Sequence, residues 1–153
     1  RKEYVCLCHG CVPLGPKLLQ SHLLDCQLRQ KTVIDSSGQP ACTEVLTVDH
    51  LLALDGEELL SLVHVRIHTG RRHQIRAHLS SEGHPLVGDV VYGGARVYWC
   101  SRHFLHSCKL CFDVGDGLHH VLVPLPFQLQ EALASAMPLS DRGRAADLHW
   151  LQC

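Results

Sequence analysis

The sequence predicts an α+β fold in which a mixed, mainly antiparallel sheet is flanked by helices. Strand-like runs dominate the chain, and short turn signals such as Asp55-Gly56 separate them in the manner of hairpins. In residues 59–68 the apolar side chains at 63, 65 and 67 alternate with polar and basic ones, which is typical of a strand with one buried face. Helical spacing is confined to two short segments. Antiparallel pairing with few helices is therefore expected.

The elements follow one another in a simple order. Predicted strands occupy residues 4–8, 41–52, 59–68, 104–112 and 119–123, and predicted helices occupy about 72–81 and 127–137. Residues 18–30 have no clear period, so an extended segment and a helix both remain open. Asp35 to Gly38 forms a predicted turn, and Gly83 suits the position just after the first helix.

The length and composition indicate one domain. We assign residues 1–137 to it and residues 138–153 to an irregular tail, because no linker or internal repeat divides the 153 residues. A net charge of −1 gives the molecule no overall basic character, so any nucleic-acid binding must come from a local patch. No run of eighteen apolar residues is present, so no membrane span is expected. The expected state is a monomer.

Six of the nine cysteines lie, with histidines, in two clusters that raise the question of zinc. One comprises Cys6, Cys8, His9 and Cys11, and the other comprises Cys100, His103, His106, Cys108 and Cys111. Residues of the second cluster alternate along a predicted strand, so they cannot all face one ion. The favoured interpretation is reduced cysteines acting as small apolar residues in an intracellular, reducing compartment (cytoplasm, nucleus or organelle), with no metal; a zinc module is the alternative.

The densest chemistry lies in residues 69–79, TGRRHQIRAHL, followed by GHPLVGD at 83–89 and Tyr92-Gly93. Arginines and histidines at a turn and helix start suit contacts with phosphate, because free backbone N–H groups lie there too. A solvated basic helix would explain an isolated arginine pair equally well. The ordered pattern as a whole favours a functional site.

These motifs resemble the RluA/RsuA pseudouridine synthase family. Similar elements occur in the same order elsewhere: Lys2-Glu-Tyr4 in the first strand, Ala41 and Thr43 before the hairpin, LHS at 105–107 and PLP at 124–126. The resemblance covers about residues 2–133. It implies isomerisation of uridine to pseudouridine in structured RNA (tRNA or rRNA), with the target base taken out of its stack and no cofactor required.

The resemblance also implies roles for individual residues. Tyr4 matches the tyrosine that stacks on the target base, although ordinary strand packing would also explain it. Arg76 matches the basic residue that pairs with the catalytic aspartate and keeps it ionised. Ile75 matches the apolar residue against the base, or is simply core. Arg71, Arg72 and His73 are expected to bind substrate phosphates, and Gln74 is expected to be structural.

The family's catalytic aspartate lies in a His-Arg-Leu-Asp motif before the Lys-x-Tyr strand, and no aspartate here has that context. Asp89 matches no catalytic position and is explained as part of a Gly-Asp turn. The sequence therefore leads to two hypotheses: the C-terminal portion of a pseudouridine synthase catalytic domain, inactive as it stands, or a non-catalytic RNA-binding relic of that family.

Overall fold

A computed structural model describes residues 1–139 of the chain, apart from Gln27, Arg29 and Glu57. It contains one antiparallel sheet and two short helices, which confirms the α+β fold. The strands are β1 (Lys2–His9), β2 (Lys17–Cys26), β3 (Lys31–Ile34), β4 (Gln39–Ala53), β5 (Leu59–Ile67), β6 (Leu105–Asp113), β7 (Leu118–Leu122) and β8 (Ala136–Pro138). The helices are α1 (Gln74–Ser81) and α2 (Phe127–Leu133).

The strands are ordered β3-β2-β4-β5-β1-β6-β7, and β8 adds to β4. β1 lies inside the sheet, where Tyr4 pairs with Val65 of β5 on one side and Ser107 of β6 on the other. Because both neighbours fix its backbone, β1 presents Tyr4 at a well-defined position. β7 lies at an edge, and each of its residues is exposed.

Alternation along β1 divides the core between the two sheet faces. Val5 and Leu7 pack with α2 and Phe104 on one face, whereas Cys6 and Cys8 pack beneath α1 on the other. Both cysteines are fully buried, and burial is the main reason why the pKa of the Cys8 thiol is raised. The cysteines of β1 therefore act as small apolar side chains.

The five predicted strands differ from the observed ones by one or two residues at an end, and three other predicted segments also differ from the structure. The segment 18–30 is the strand β2, because it pairs with both β3 and β4. The first helix begins at Gln74 rather than Arg72, since His73 has a left-handed backbone (φ 51°) that a helix cannot contain. The second helix ends at Leu133 instead of Met137, and residues 136–138 pair with β4 as β8. Of the predicted tail 138–153, Pro138 ends β8, and positions from 140 onward lie outside the described residues.

α1 ends in a Schellman motif at Gly83, the glycine predicted to follow this helix. The Gly83 N–H donates to the Ser80 carbonyl (3.1 Å), and the His84 N–H donates to the Leu79 carbonyl (2.9 Å). Gly83 has a φ of +86°, which glycine adopts without strain. The chain then returns across the sheet through residues 84–104 to form one side of the site.

In the described part of the chain, no helix is long and apolar enough to cross a membrane.

Candidate functional site

A cavity of about 330 Å³ lies between the sheet and the start of α1. Its walls come from β1, β5, the turn before α1, α1 itself and the start of β6. The lining residues are Tyr4, Ile67, Arg71, His73, Gln74, Ile75, Arg76, His103 and Leu105. Five of the six predicted site residues are therefore brought together, although they come from positions up to 72 residues apart in the chain.

One wall of the cavity is apolar and aromatic. Tyr4 is half-buried and packs, with Ile67 and Leu105, against the core cluster that contains Ile75. Ile75 is thus both a core residue and a wall of the cavity, so its two interpretations are compatible. A planar aromatic side chain beside aliphatic groups offers a surface on which a nucleobase can stack.

Gln74 fixes the turn that presents the basic residues. Its side-chain oxygen accepts hydrogen bonds from the Thr69 hydroxyl (2.8 Å) and the Arg71 N–H (3.0 Å). Its side-chain nitrogen donates to the Cys42 carbonyl (2.9 Å) and the Thr43 hydroxyl (3.0 Å). All four bonds tie the helix start to β4 and the 69–71 turn, which supports the structural role expected for this buried glutamine.

Arg76 makes the strongest polar contact of the site. Its Nε and Nη2 donate to Oδ2 and Oδ1 of Asp89, both at 2.6 Å, and both side chains are largely buried. The guanidinium carbon lies 4.6 Å from the centre of the Tyr92 ring. The hydrogen bonds to Asp89 raise the pKa of Arg76 above its usual value, so this side chain is a permanent cation.

The two histidines of the cavity, His73 and His103, have lowered pKa values. Burial lowers the pKa of His73 and of His103, and the positive charge of Arg76 lowers both further. The fixed positive charge of the site therefore resides on Arg71 and Arg76. Among the described residues that line the cavity, none is acidic.

Arg72 lies apart from this cavity. Its Nη1 donates to Asp25 of β2 at 2.7 Å, and with Arg71 it lines a second, more polar cavity of about 490 Å³ beside β2 and β3. Arg72 precedes the helix, so it does not share a helix face with Arg76. Arg71 lines both cavities and so lies between them.

Sequence reasoning misses several residues of the site. It places His103 in a cysteine cluster and Leu105 in a strand and the LHS element, but gives neither a role in the site. Nothing in their local pattern indicates that β6 lies beside β1. It interprets Asp89 as a turn residue, whereas the structure shows it as the partner of Arg76. The order GHPLVGD, with its turn-forming glycines, marks the loop but cannot show which cation the carboxylate meets.

No group of three or more described His, Cys, Asp or Glu residues is arranged to hold a metal ion. All six cysteines of the two clusters are free thiols in the described part of the chain.

The family model described as RNA pseudouridylate synthase matches residues 1–81. The chain is 43% identical over 99 residues to the uncharacterized RNA pseudouridine synthase YhcT of Bacillus subtilis, covering 63% of this chain and 31% of that protein. It is 35% identical over 175 aligned positions to ribosomal large subunit pseudouridine synthase D of Neisseria meningitidis, covering 96% of this chain and 45% of that protein. The chain thus spans less than half the length of these relatives.

A solved structure gives the same result. Human RNA Pseudouridylate Synthase Domain Containing 1 superposes with a TM-score of 0.74 at 27% identity, over 90% of this chain and 59% of that one. The matched family region includes β1, β5 and α1, the three elements that carry Tyr4, Ile67 and Arg76. On these grounds the chain belongs to the RluA-type RNA pseudouridine synthase family.

Proposed function

We propose that this chain forms the uridine-binding part of an RNA pseudouridine synthase site. The observation that carries the proposal is the cavity itself, which combines an aromatic and aliphatic wall with two fixed cations. A nucleotide has the complementary properties: a flat base with two π-faces, and an anionic phosphate on each side.

The residues divide into base-binding and charge-binding groups. Tyr4 stacks on the uracil ring, and Ile75 and Leu105 exclude water around it. Arg71 and the N–H groups near the start of α1 contact phosphate beside the flipped nucleotide. The lowered pKa of His73 favours its uncharged form, so His73 contributes hydrogen bonds rather than charge.

Arg76 is proposed to interact with the aspartate that reacts with the uridine. In the proposed reaction an aspartate initiates cleavage of the N-glycosidic bond, and the uracil rotates and rejoins the ribose through carbon. Arg76 keeps that aspartate ionised by its fixed positive charge. No described residue lining the cavity is acidic, and no aspartate of the chain lies in a His-Arg-Leu-Asp motif. We therefore infer that the aspartate comes from a part of the whole protein other than these 153 residues.

The test is pseudouridine formation by the whole protein that contains this chain. Total tRNA and rRNA lacking pseudouridine are incubated with it, digested to nucleosides and separated by chromatography. The expected result is conversion of uridine, reduced by roughly 10²-fold or more in Arg76→Gln because an electrostatic stabiliser is lost. No conversion by the wild-type protein in either RNA pool would contradict the proposal.

The second candidate is an RNA-binding protein without catalysis. It is favoured by the absence of an acidic side chain among the described residues that line the cavity. It predicts salt-sensitive RNA binding by the chain without any pseudouridine formation by the whole protein. Removal of Arg71 or Arg72 should lower the slope of log affinity against log salt by about one. Undetectable binding at low salt would contradict both candidates.

A monomer is the proposed state, which light scattering on the purified chain tests directly.

A further inference from the structure

The partner of Arg76 has consequences for how the proposed site works. A guanidinium has two edges that can bind a carboxylate bidentately, one made by Nε and Nη2 and the other by Nη1 and Nη2. Asp89 occupies the first edge with both of its oxygens. Among the described residues, none accepts a hydrogen bond from Nη1, and Arg76 lines the cavity.

Asp89 is held in place by its own loop. The Asp89 N–H donates to the Leu86 carbonyl (3.1 Å), and the Asp89 carbonyl accepts from the N–H groups of Tyr92 (3.0 Å) and Gly94 (2.8 Å). Gly94 permits this approach, because a Cβ there would lie 2.0 Å from the Leu86 carbonyl oxygen. The carboxylate of Asp89 therefore has little freedom to move away from Arg76.

Tyr92 supports the flat side of the guanidinium. Its hydroxyl donates to the Thr32 carbonyl (3.2 Å) and accepts from the Thr32 N–H (2.8 Å), so the buried ring is tied to β3. The Ser80 hydroxyl donates to the Tyr92 carbonyl at 2.6 Å, which ties the same residue to the end of α1. The ring thus rests on two elements, and Arg76 packs on it.

We propose that Asp89 and Tyr92 are positioning residues, which together fix the plane and direction of the Arg76 guanidinium so that its Nη1–Nη2 edge meets a second carboxylate. This inference rests on the proposed function, in which that second carboxylate is the reacting aspartate. Asp89 itself is the fixed counter-ion: it is buried, and both of its oxygens already accept hydrogen bonds from Arg76.

Hydrogen exchange at the Arg76 Nε–H tests, without reference to activity, whether Asp89 fixes the guanidinium of Arg76. In the 153-residue chain, NMR should show this proton protected from solvent exchange. Asp89→Asn, which preserves size, should accelerate exchange by roughly tenfold or more. Asp116→Asn, at a carboxylate whose side chain is 70% exposed, is the matched control. Unchanged exchange in Asp89→Asn would overturn the proposal.

Kinetics of the whole protein provide the second test. Asp89→Asn should lower kcat by roughly 10²-fold with little change in KM, because a displaced guanidinium affects the transition state more than RNA binding. Asp116→Asn, at the exposed control position, should retain the wild-type kcat. An Asp116→Asn enzyme as slow as Asp89→Asn, or an Asp89→Asn enzyme with normal kcat, would overturn the proposal.

The two proposals can fail separately. If the wild-type whole protein forms no pseudouridine, the proposed function fails, and the exchange experiment alone decides whether Asp89 fixes Arg76. The wild type and an Asp89→Asn variant with a native circular dichroism spectrum may instead be equally active. In that case only the positioning role of Asp89 fails.

Discussion

At the residue scale, Tyr4 is the side chain whose role is easiest to separate from packing. It is half-buried in β1, so part of its ring is covered by protein and part is open to the cavity. A base stacked on the open part would bury the remainder. Tyr4 should therefore contribute to RNA affinity through its ring rather than its hydroxyl.

We expect Tyr4→Ala to weaken RNA binding by about 1–3 kcal/mol, the usual contribution of a base–aromatic stack. Tyr4→Phe should bind within about twofold of the wild type, since it retains the π-face. Fluorescence anisotropy with a labelled RNA stem-loop measures both. Tyr98→Ala is the control, because Tyr98 is 97% exposed and lies outside the cavity. Equal losses for Tyr4→Ala and Tyr98→Ala would argue against stacking at Tyr4.

Also at this scale, burial of Gln74 predicts a stability cost. Gln74→Leu would leave the Cys42 carbonyl and the Arg71 N–H without their side-chain partners. An unsatisfied buried polar group costs about 1–3 kcal/mol, so the free energy of unfolding should fall by about that amount or more. Urea denaturation monitors it. Gln128→Leu, at an exposed position of α2, should change the unfolding free energy by less than about 0.5 kcal/mol. Equal stability of Gln74→Leu and the wild type would contradict this account of the turn.

At the scale of elements, the loop between α1 and β6 has the tightest backbone packing near the site. Gly94 and Gly88 both lie where a Cβ would meet backbone atoms, at 2.0 Å from the Leu86 oxygen and 2.6 Å from the Arg102 oxygen. Gly93, by contrast, has a φ of +93°, and a Cβ there would have nothing within 4 Å. Neighbouring glycines thus serve different purposes.

Gly94→Ala should destabilise the chain strongly, because a Cβ at 2.0 Å from a carbonyl oxygen forces the backbone to move. Gly93→Ala should cost only about 1–2 kcal/mol, from the left-handed conformation alone. Thermal unfolding of the two variants provides the comparison. A Gly94→Ala protein as stable as Gly93→Ala would show that the loop does not pack as described.

The elements also show what the sequence can and cannot predict. Alternation in β5 and the Asp-Gly turn before it are sufficient to predict a hairpin, because period and turn chemistry are local. For β2 the sequence permits both strand and helix, since its buried Leu19 and Leu23 are four residues apart and satisfy both periods. Pairing with β3 and β4 makes this segment a strand, and such pairing depends on tertiary structure.

The site likewise has features that the sequence predicts and features that depend on the tertiary structure. Tyr4 and Arg76 are found through ordered motifs, yet 72 positions separate them. Only the fold brings β1 and α1 to the same cavity. The Arg76–Asp89 pair is not predictable in this way, because a carboxylate after a glycine looks the same in a solvated turn. Burial of Asp89 distinguishes the two cases, and burial depends on the path of the whole loop.

At the scale of the whole molecule, one buried and three half-buried histidines link stability to pH. Burial is the first cause that lowers the pKa of four of them: His64, His73, His78 and His103. His78 is the clearest case, with the Ser21 hydroxyl 2.8 Å from Nε2 and the Thr43 hydroxyl 2.9 Å from Nδ1. The negative charge of Glu82 opposes the shift of the His78 pKa but is the smaller cause.

A histidine whose folded pKa is lowered binds more protons when unfolded, so stability falls as pH falls below the unfolded value of 6.5. We therefore expect the free energy of unfolding to decrease by on the order of 1 kcal/mol or more between pH 7.5 and pH 5.5. Urea denaturation at several pH values measures this, and His78→Gln should show a smaller decrease. A protein that gains stability over this range would contradict the assignment of neutral buried histidines.

The central claim is that the cavity between β1 and α1 binds a nucleotide of RNA. The most direct measurement is an NMR titration of the isotope-labelled 153-residue chain with a short uridine-containing stem-loop. We predict that the largest chemical-shift changes occur at Tyr4, His73, Ile75, Arg76 and His103, and that they diminish with added salt. Saturable binding that perturbs other surfaces while leaving these five residues unchanged would contradict the claim.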